Sequence, residues 1–293
     1  MAREIYQAIA DGILAGGVYA LMAAGLTLIF GVLDIINIAQ GILVVLGAYL
    51  SYALLTRLHI GLFAGLLITV PAMFVLGVAI QWAFIRPLRG SERTSMTLLV
   101  TFAVALIAEG TLYEIFGPDY VQLRSAYVTR SVHLPGFYLP DIYLLGFAMA
   151  VLLVLALYVL LYRTRFGRSV RATMQDETAA RLIGINVNRV AALTFGIGVA
   201  VTAAGGMVYG ATGGGFNPNS GYDLISRLLA IIILGGLGSI GGALAASVFM
   251  LTLESVVDIW SPSWAIAVFY AALIVVLVVR PAGFLGRKGV RAQ

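Results

Sequence analysis

Apolar runs longer than about 18 residues recur along this chain, and each can cross a hydrocarbon core roughly 30 Å thick. A single run of that kind could be a buried core helix, but a succession of them cannot. Lipid offers no partner to backbone N–H and C=O groups, so a spanning segment must satisfy them as a helix or in a closed barrel. Barrel strands are about ten residues long and alternate in polarity, whereas runs such as Ile13 to Phe30 are continuous. The sequence therefore predicts an all-α, polytopic transmembrane helical bundle. Composition agrees: of 293 residues, 61% are hydrophobic and 11% charged. An average soluble domain carries about a quarter charged residues, and this chain has too few to coat a globule.

Spans are expected near residues 7–33, 40–56, 61–85, 96–116, 142–162, 190–212 and 263–279. The stretch 228–253 is apolar but interrupted by Gly235, Gly236, Gly238, Gly241 and Gly242. It reads as one long helix, two short ones or a re-entrant pair. The expectation is about eight spanning or half-spanning helices in one transmembrane domain, 1–293, because no polar linker separates two halves. The first apolar stretch is span-length and is followed by others, so it reads as a retained helix rather than a secretory signal.

Arginine sets the orientation, since it costs about 2.5 to 3.5 kcal/mol at a helix centre and basic loops stay cytoplasmic. Arg86, Arg89 and Arg93 mark one such loop. Arg163, Arg165, Arg168, Arg171, Arg181 and Arg189 mark another, and Arg280, Arg287, Lys288 and Arg291 mark the tail. Residues 117–141 and the turn at 213–221 then lie outside. Eight simple crossings would leave the basic tail outside as well, so the glycine-broken stretch is expected not to cross as one plain helix. Positive-inside bias and attraction to anionic membrane lipid account for the net charge of +5. Nucleic-acid binding would need a basic face on a soluble surface, which this pattern does not provide.

There are no cysteines, which excludes disulfides, thiolate chemistry and cysteine-built metal sites. The two histidines, His59 and His133, fall near span ends or in loops, where surface positions outweigh a metal or proton-relay role. A Ser protease built on Gly238-Ser239-Ile240-Gly241 lacks a base within reach. No metal site is expected.

The polar loop between the fifth and sixth spans, about 163–189, carries the most information. It reads as a short amphipathic helix, with Thr173 and Asp176 at capping-box spacing. Asp176 and Glu177 stand at the positive helix end, Glu177 and Arg181 pair at i,i+4, and Gly184 suits the C-terminal cap. Such a helix would expose Met174, Ala179, Leu182 and Ile183 beside charges, which suits docking into a groove of a cytoplasmic partner. A connector resting on the membrane surface is the plainer alternative.

Gly167 to Arg189, with Asp176-Glu177-Thr178-Ala179-Ala180 and Gly184-Ile185-Asn186-Val187-Asn188-Arg189, resembles the coupling loop of branched-chain amino acid ABC importer permeases. Gly17-Val18-Tyr19-Ala20-Leu21, Gly25 to Gly31, Asn37-Ile38-Ala39-Gln40-Gly41 and Gly47-Ala48-Tyr49 resemble that family's opening segments. Leu234 to Ala243, Glu254 and Arg280-Pro281-Ala282-Gly283-Phe284-Leu285-Gly286 resemble its closing ones. Two positions depart: the family usually has His where Gln40 stands and Pro where Gly241 stands. The resemblance implies a permease subunit of an ATP-driven importer in a bacterial inner membrane. It also implies a second permease subunit, identical or homologous, two cytoplasmic ABC ATPases and an extracytoplasmic solute-binding protein. Solutes associated with such relatives are branched-chain and other neutral amino acids, urea and short amides. Coupling would fall to Met174, Asp176, Glu177, Thr178, Ala179, Ala180, Leu182, Ile183 and Gly184. The only lysine, Lys288, follows Arg287 where a P-loop has glycine, so ATP and its magnesium belong to partner subunits.

Gly12 with Gly16, and Gly61 with Gly65, have the spacing of tight helix contacts. Asn37, Gln40 and Gly41 sit where an apolar span breaks, and unwound backbone at membrane depth is tolerated only inside protein or beside water. They are the first candidates for the solute path. Gly235, Gly236, Gly238 and Ser239 are candidates for the same path or for packing. Glu109 and Glu254, acids within apolar stretches, are candidates by default, or else paired structural acids. An ion-coupled secondary transporter would share the broken helices but would not need the Asp176 loop.

Overall fold

A computed structural model describes residues 2–88, 93–124, 131–134, 137–212 and 215–286. It is a bundle of long helices. In chain order these are α1 (Ala2–Leu33), α2 (Gln40–Arg57), α3 (Leu62–Ile80, running on into a π-turn over Gln81–Ile85) and α4 (Arg93–Phe116). A small antiparallel hairpin follows, β1 (Ser131–Leu134) with β2 (Phe137–Pro140). Then come α5 (Asp141–Arg163), α6 (Arg165–Gln175), α7 (Glu177–Leu182), α8 (Val187–Thr212), α9 (Ser220–Gly235), α10 (Ile240–Asp258) and α11 (Pro262–Val279). Among the described residues eight helices are long and apolar enough to cross a membrane, and α9, with 16 residues, falls just short.

Small residues decide which helices form the centre. Without a hydrophobic drive between helices in lipid, close backbone approach and dispersion hold them together. The spacing of Gly12 and Gly16 is used in this way. A Cβ at Gly12 would lie 2.5 Å from the Thr252 Cα, and one at Gly16 2.7 Å from the Val248 Cα, both on α10. On α8, Gly198 meets the Gly25 carbonyl of α1, Gly206 the Val44 carbonyl of α2, and Gly196 the Phe74 carbonyl of α3. Helices α1 and α8 are thus enclosed, whereas α5 and α11 sit at the periphery with large apolar side chains facing outward. The Gly61–Gly65 pair does not follow suit: Gly61, the N-cap of α3, has no neighbour for a Cβ, and Gly65 meets only the Leu54 side chain of α2, at ordinary contact distance and with no backbone close by.

The glycine-broken stretch is two helices. Gly236 (φ 95°) and Gly238 (φ 80°) take left-handed conformations that side chains with a Cβ disfavour. They turn the chain back, so that Gly235 of α9 lies against Gly242 of α10.

Contacts sort the loops onto two faces. On one, the Gln7 amide donates to the Tyr138 carbonyl (2.6 Å) and accepts from its N–H (2.9 Å). On that same face Val121 and Phe216 form an antiparallel bridge. On the other, Met174 packs on Gly31, Gly238 lies beside Gly31, and the tail returns to the turn through Phe284 N–H to Leu234 O (2.7 Å) and Leu285 N–H to Gly235 O (3.1 Å). Splitting 228–253 into two antiparallel helices therefore brings the basic tail back to the face of the basic 163–189 loop. By the positive-inside bias, that face is the one expected to lie in the cytoplasm. Because the chain has no cysteine, a single cysteine at Leu182 is expected to react with an impermeant maleimide only from the cytoplasm, and one at Tyr120 only from outside. Labelling with the reverse sidedness would invert the assignment.

Candidate functional site

The 163–189 loop folds as two helices. Thr164 caps α6, its hydroxyl accepting from Gly167 N–H at 3.0 Å. The chain then breaks at Asp176, whose backbone is extended (φ −156°, ψ 111°). Its carboxylate accepts from Thr178 N–H (2.7 Å) and Ala179 N–H (2.9 Å), which makes Asp176 the N-cap of α7. The expected capping box between Thr173 and Asp176 does not form. Thr173 is buried inside α6 and its hydroxyl donates to the Ser169 carbonyl at 2.9 Å. Gly184 does end α7: at φ 86° it donates to Arg181 O (3.0 Å), and Ile185 N–H reaches Ala180 O (3.0 Å). These are the two bonds of a Schellman cap. The Glu177–Arg181 pair forms at 2.6 Å.

Capped at both ends, α7 buries Ala180 and exposes Leu182 (83%) and Ile183 (74%), with Asp176, Thr178, Ala179 and Gly184 also exposed and Glu177 half-buried. Met174 is not part of that outer surface. It turns inward onto Gly31 at the end of α1 because the break at Asp176 separates its helix from α7. Arg171 holds the other side, donating to the Leu161 carbonyl at the end of α5 while its guanidinium lies 5.0 Å over the Tyr162 ring. Through Met174 and Arg171, α6 rests on α1 and α5, and α7 follows it across the break at Asp176.

Inside the bundle, Asn37 and Gln40 are fully buried and come together. The Asn37 amide donates to Gln40 Oε1 (2.8 Å), Gln40 Nε2 donates to Thr202 Oγ1 (2.5 Å), and Thr202 donates to the Met22 carbonyl (3.3 Å). This chain links the α1–α2 connection and the start of α2 to α8 and α1. Asn37 Oδ1 stays buried without a donor, which costs about 1 to 3 kcal/mol. Ile38 N–H reaches Thr101 Oγ1 of α4 at 3.3 Å. Gly41 instead faces the Gly221 carbonyl and Ile225 of α9, so its position is a packing contact.

In the glycine cluster most backbones approach one another closely. Gly235 abuts Gly242, Gly236 abuts Gly286, and Ser239 caps α10, accepting from Gly242 N–H at 3.1 Å. Gly238 is the most open, with Gly31 Cα at 3.9 Å from its would-be Cβ. Gly241, at the position of the family's usual proline, meets only the Leu285 side chain.

Both acids have partners that sequence order conceals. Tyr222 OH donates to Glu109 Oε2 at 2.6 Å, joining α9 to α4. Glu254 pairs with Arg227 at 2.6 Å, the two side chains being 15% and 18% exposed. Arg227, just before the apolar run at 228, is absent from the candidates that the sequence offers. Its signal is a lone arginine that follows the polar turn at 213–221 and directly precedes an apolar stretch, far from any basic loop.

A bundle with two sorted loop faces, a buried polar tie and a capped, exposed helix on its basic side is the architecture of a multi-pass membrane permease. The sequence matches, over residues 8–277, the family described as branched-chain amino acid transport system / permease component, and the chain belongs to that family. It is 30% identical to the high-affinity branched-chain amino acid transport system permease protein BraD of Pseudomonas aeruginosa, covering 98% of both chains. It is 32% identical to LivH of Escherichia coli, over 96% of this chain and 95% of that one. It is 24% identical to LivM of Salmonella typhimurium, over 92% of this chain and 68% of that one. No solved structure matches.

Proposed function

We propose that this chain is the membrane-spanning subunit of an ATP-driven importer of branched-chain or related neutral amino acids in a bacterial inner membrane. Its partners would be a second permease subunit, two cytoplasmic ABC ATPases and an extracytoplasmic solute-binding protein. The branched-chain amino acid transport for which BraD, LivH and LivM are named supports the solute class, and the likeness to both LivH and LivM supports a permease pair. The observation that carries ATP coupling is the Leu182–Ile183 tip on a helix locked by caps, next to α6, whose Met174 rests on α1. An exposed apolar pair on a rigid short helix fits a groove on an ATPase. Closure of the ATPases would push α6 and α7, and Met174 and Arg171 would pass that displacement to α1 and α5. Asn37, with its open acceptor, and Gln40 are the proposed interior contact of the solute.

Purification in mild detergent is expected to recover the ATPases with the chain. Glu177→Arg is expected to lower that recovery about tenfold, because it reverses charge beside the docking tip and breaks the pair to Arg181. Undiminished recovery with normal ATP-driven uptake would refute the coupling surface. Uptake that persists without ATP and collapses with an ionophore would replace the whole reading by ion-coupled transport.

A further inference from the structure

Three elements, α9, α10 and α11, converge beneath the outer face. Glu254 stands four residues from the end of α10, roughly 6 Å of helix from that face, and Arg227 stands seven residues into α9, whose first turn packs on Gly41 and Ile42 of α2. The guanidinium lies 5.3 Å over the Phe269 ring of α11, which fixes its plane. Tyr19 of α1 and Tyr270 of α11 are within electrostatic reach of both charges.

Stability does not require this pair. Two charges withdrawn from water gain little over a well-packed apolar contact, and α9 and α10 are already held by the Gly235–Gly242 contact and their short turn. An ionisable group at this depth is a functional candidate first. Arginine carries five N–H donors in a rigid fork, and the bond to Glu254 runs from one terminal nitrogen. Both side chains retain some exposure.

We infer that Arg227 and Glu254 form a station for an α-amino acid zwitterion, taking its carboxylate on the guanidinium and its ammonium on the Glu254 carboxylate. This rests on the proposed import of neutral amino acids and names the groups that would recognise the backbone of such a solute. A neutral amino acid carries one charge of each sign a few ångströms apart, and an ion pair that closes on itself when empty is their complement. Phe269, packed edge-to-face on Tyr270, backs the guanidinium that takes the carboxylate. The station recognises the part common to all α-amino acids.

The test uses the whole complex, reconstituted with its ATPases and loaded binding protein, and reads ATP-driven uptake of radiolabelled L-leucine per assembled complex. The double substitution Arg227→Glu with Glu254→Arg keeps an ion pair but reverses it. Assembly is expected to hold while uptake falls at least about tenfold, whereas wild-type uptake in this variant would make the pair purely structural. Should that variant fail to assemble, Arg227→Lys keeps the charge and loses the fork. The same loss is expected, and unchanged uptake overturns the assignment. Independently, Ser226→Cys introduces one thiol beside Arg227 on an exposed position of α9. Millimolar L-leucine is expected to slow its maleimide labelling, and no protection refutes the station. Wild-type uptake of urea or acetamide in place of leucine would overturn the zwitterion assignment and leave the permease reading standing. Absence of any ATP-driven uptake in the wild type would count against the permease reading itself.

Discussion

Leu182→Asp combined with Ile183→Asp is expected to abolish ATP-driven uptake while leaving the transmembrane bundle intact. Each side chain is mostly exposed in the isolated chain, so removing it leaves the fold within about 0.5 kcal/mol of its stability. Burying a Leu or Ile contributes about 1.5 to 3 kcal/mol. Two placed at one docking tip, and then replaced by carboxylates that would be desolvated there, should weaken association by about 3 kcal/mol or more. That corresponds to roughly 150-fold or more in binding. The checks are co-purification of ATPase with the double variant and its thermal unfolding in detergent. Lost ATPase at unchanged unfolding temperature is the expected pair of results. A variant that keeps its ATPases would show that α7 is a membrane-surface connector, and the coupling role would have to move elsewhere on the basic face.

The contrast between α7 and its neighbour α6 shows what the sequence discloses about such a site. Local signals were legible: Asp176, Glu177, Arg181 and Gly184 lie within one short segment, and a cap or an i,i+4 pair depends only on residues a few positions apart. The side on which Met174 points was not legible, because it depends on Gly31, far away in the chain, leaving room for a thioether. The same division runs through the bundle. Long apolar runs announced the helices, and Gly12 with Gly16 announced one packed seam. The Gln40–Thr202 bond spans 162 positions and the Arg227–Glu254 bond 27. Neither separation carries a local pattern. The basic tail did signal indirectly that 228–253 must turn back, since charge sidedness constrains the parity of crossings even where no single helix does.

Gln40→Leu is expected to lower uptake per assembled complex about five- to 150-fold. The substitution removes a donor to Thr202 and the acceptor for the Asn37 amide, both in the dry interior. Leaving such a buried group unpaired costs about 1 to 3 kcal/mol, which is the energy equivalent of that range. Folded yield should drop modestly for the same reason, so uptake has to be read per complex in reconstituted vesicles rather than per cell. Gln40→His keeps a donor and an acceptor and introduces an imidazole that titrates near neutral pH. It should assemble as well as the wild type and shift preference among neutral amino acids. If Gln40→Leu reduces yield but each surviving complex transports normally, the Asn37–Gln40–Thr202 chain serves only to tie α2 to α8. The solute would then pass without touching it, and the Arg227–Glu254 pair would remain the polar contact available to it.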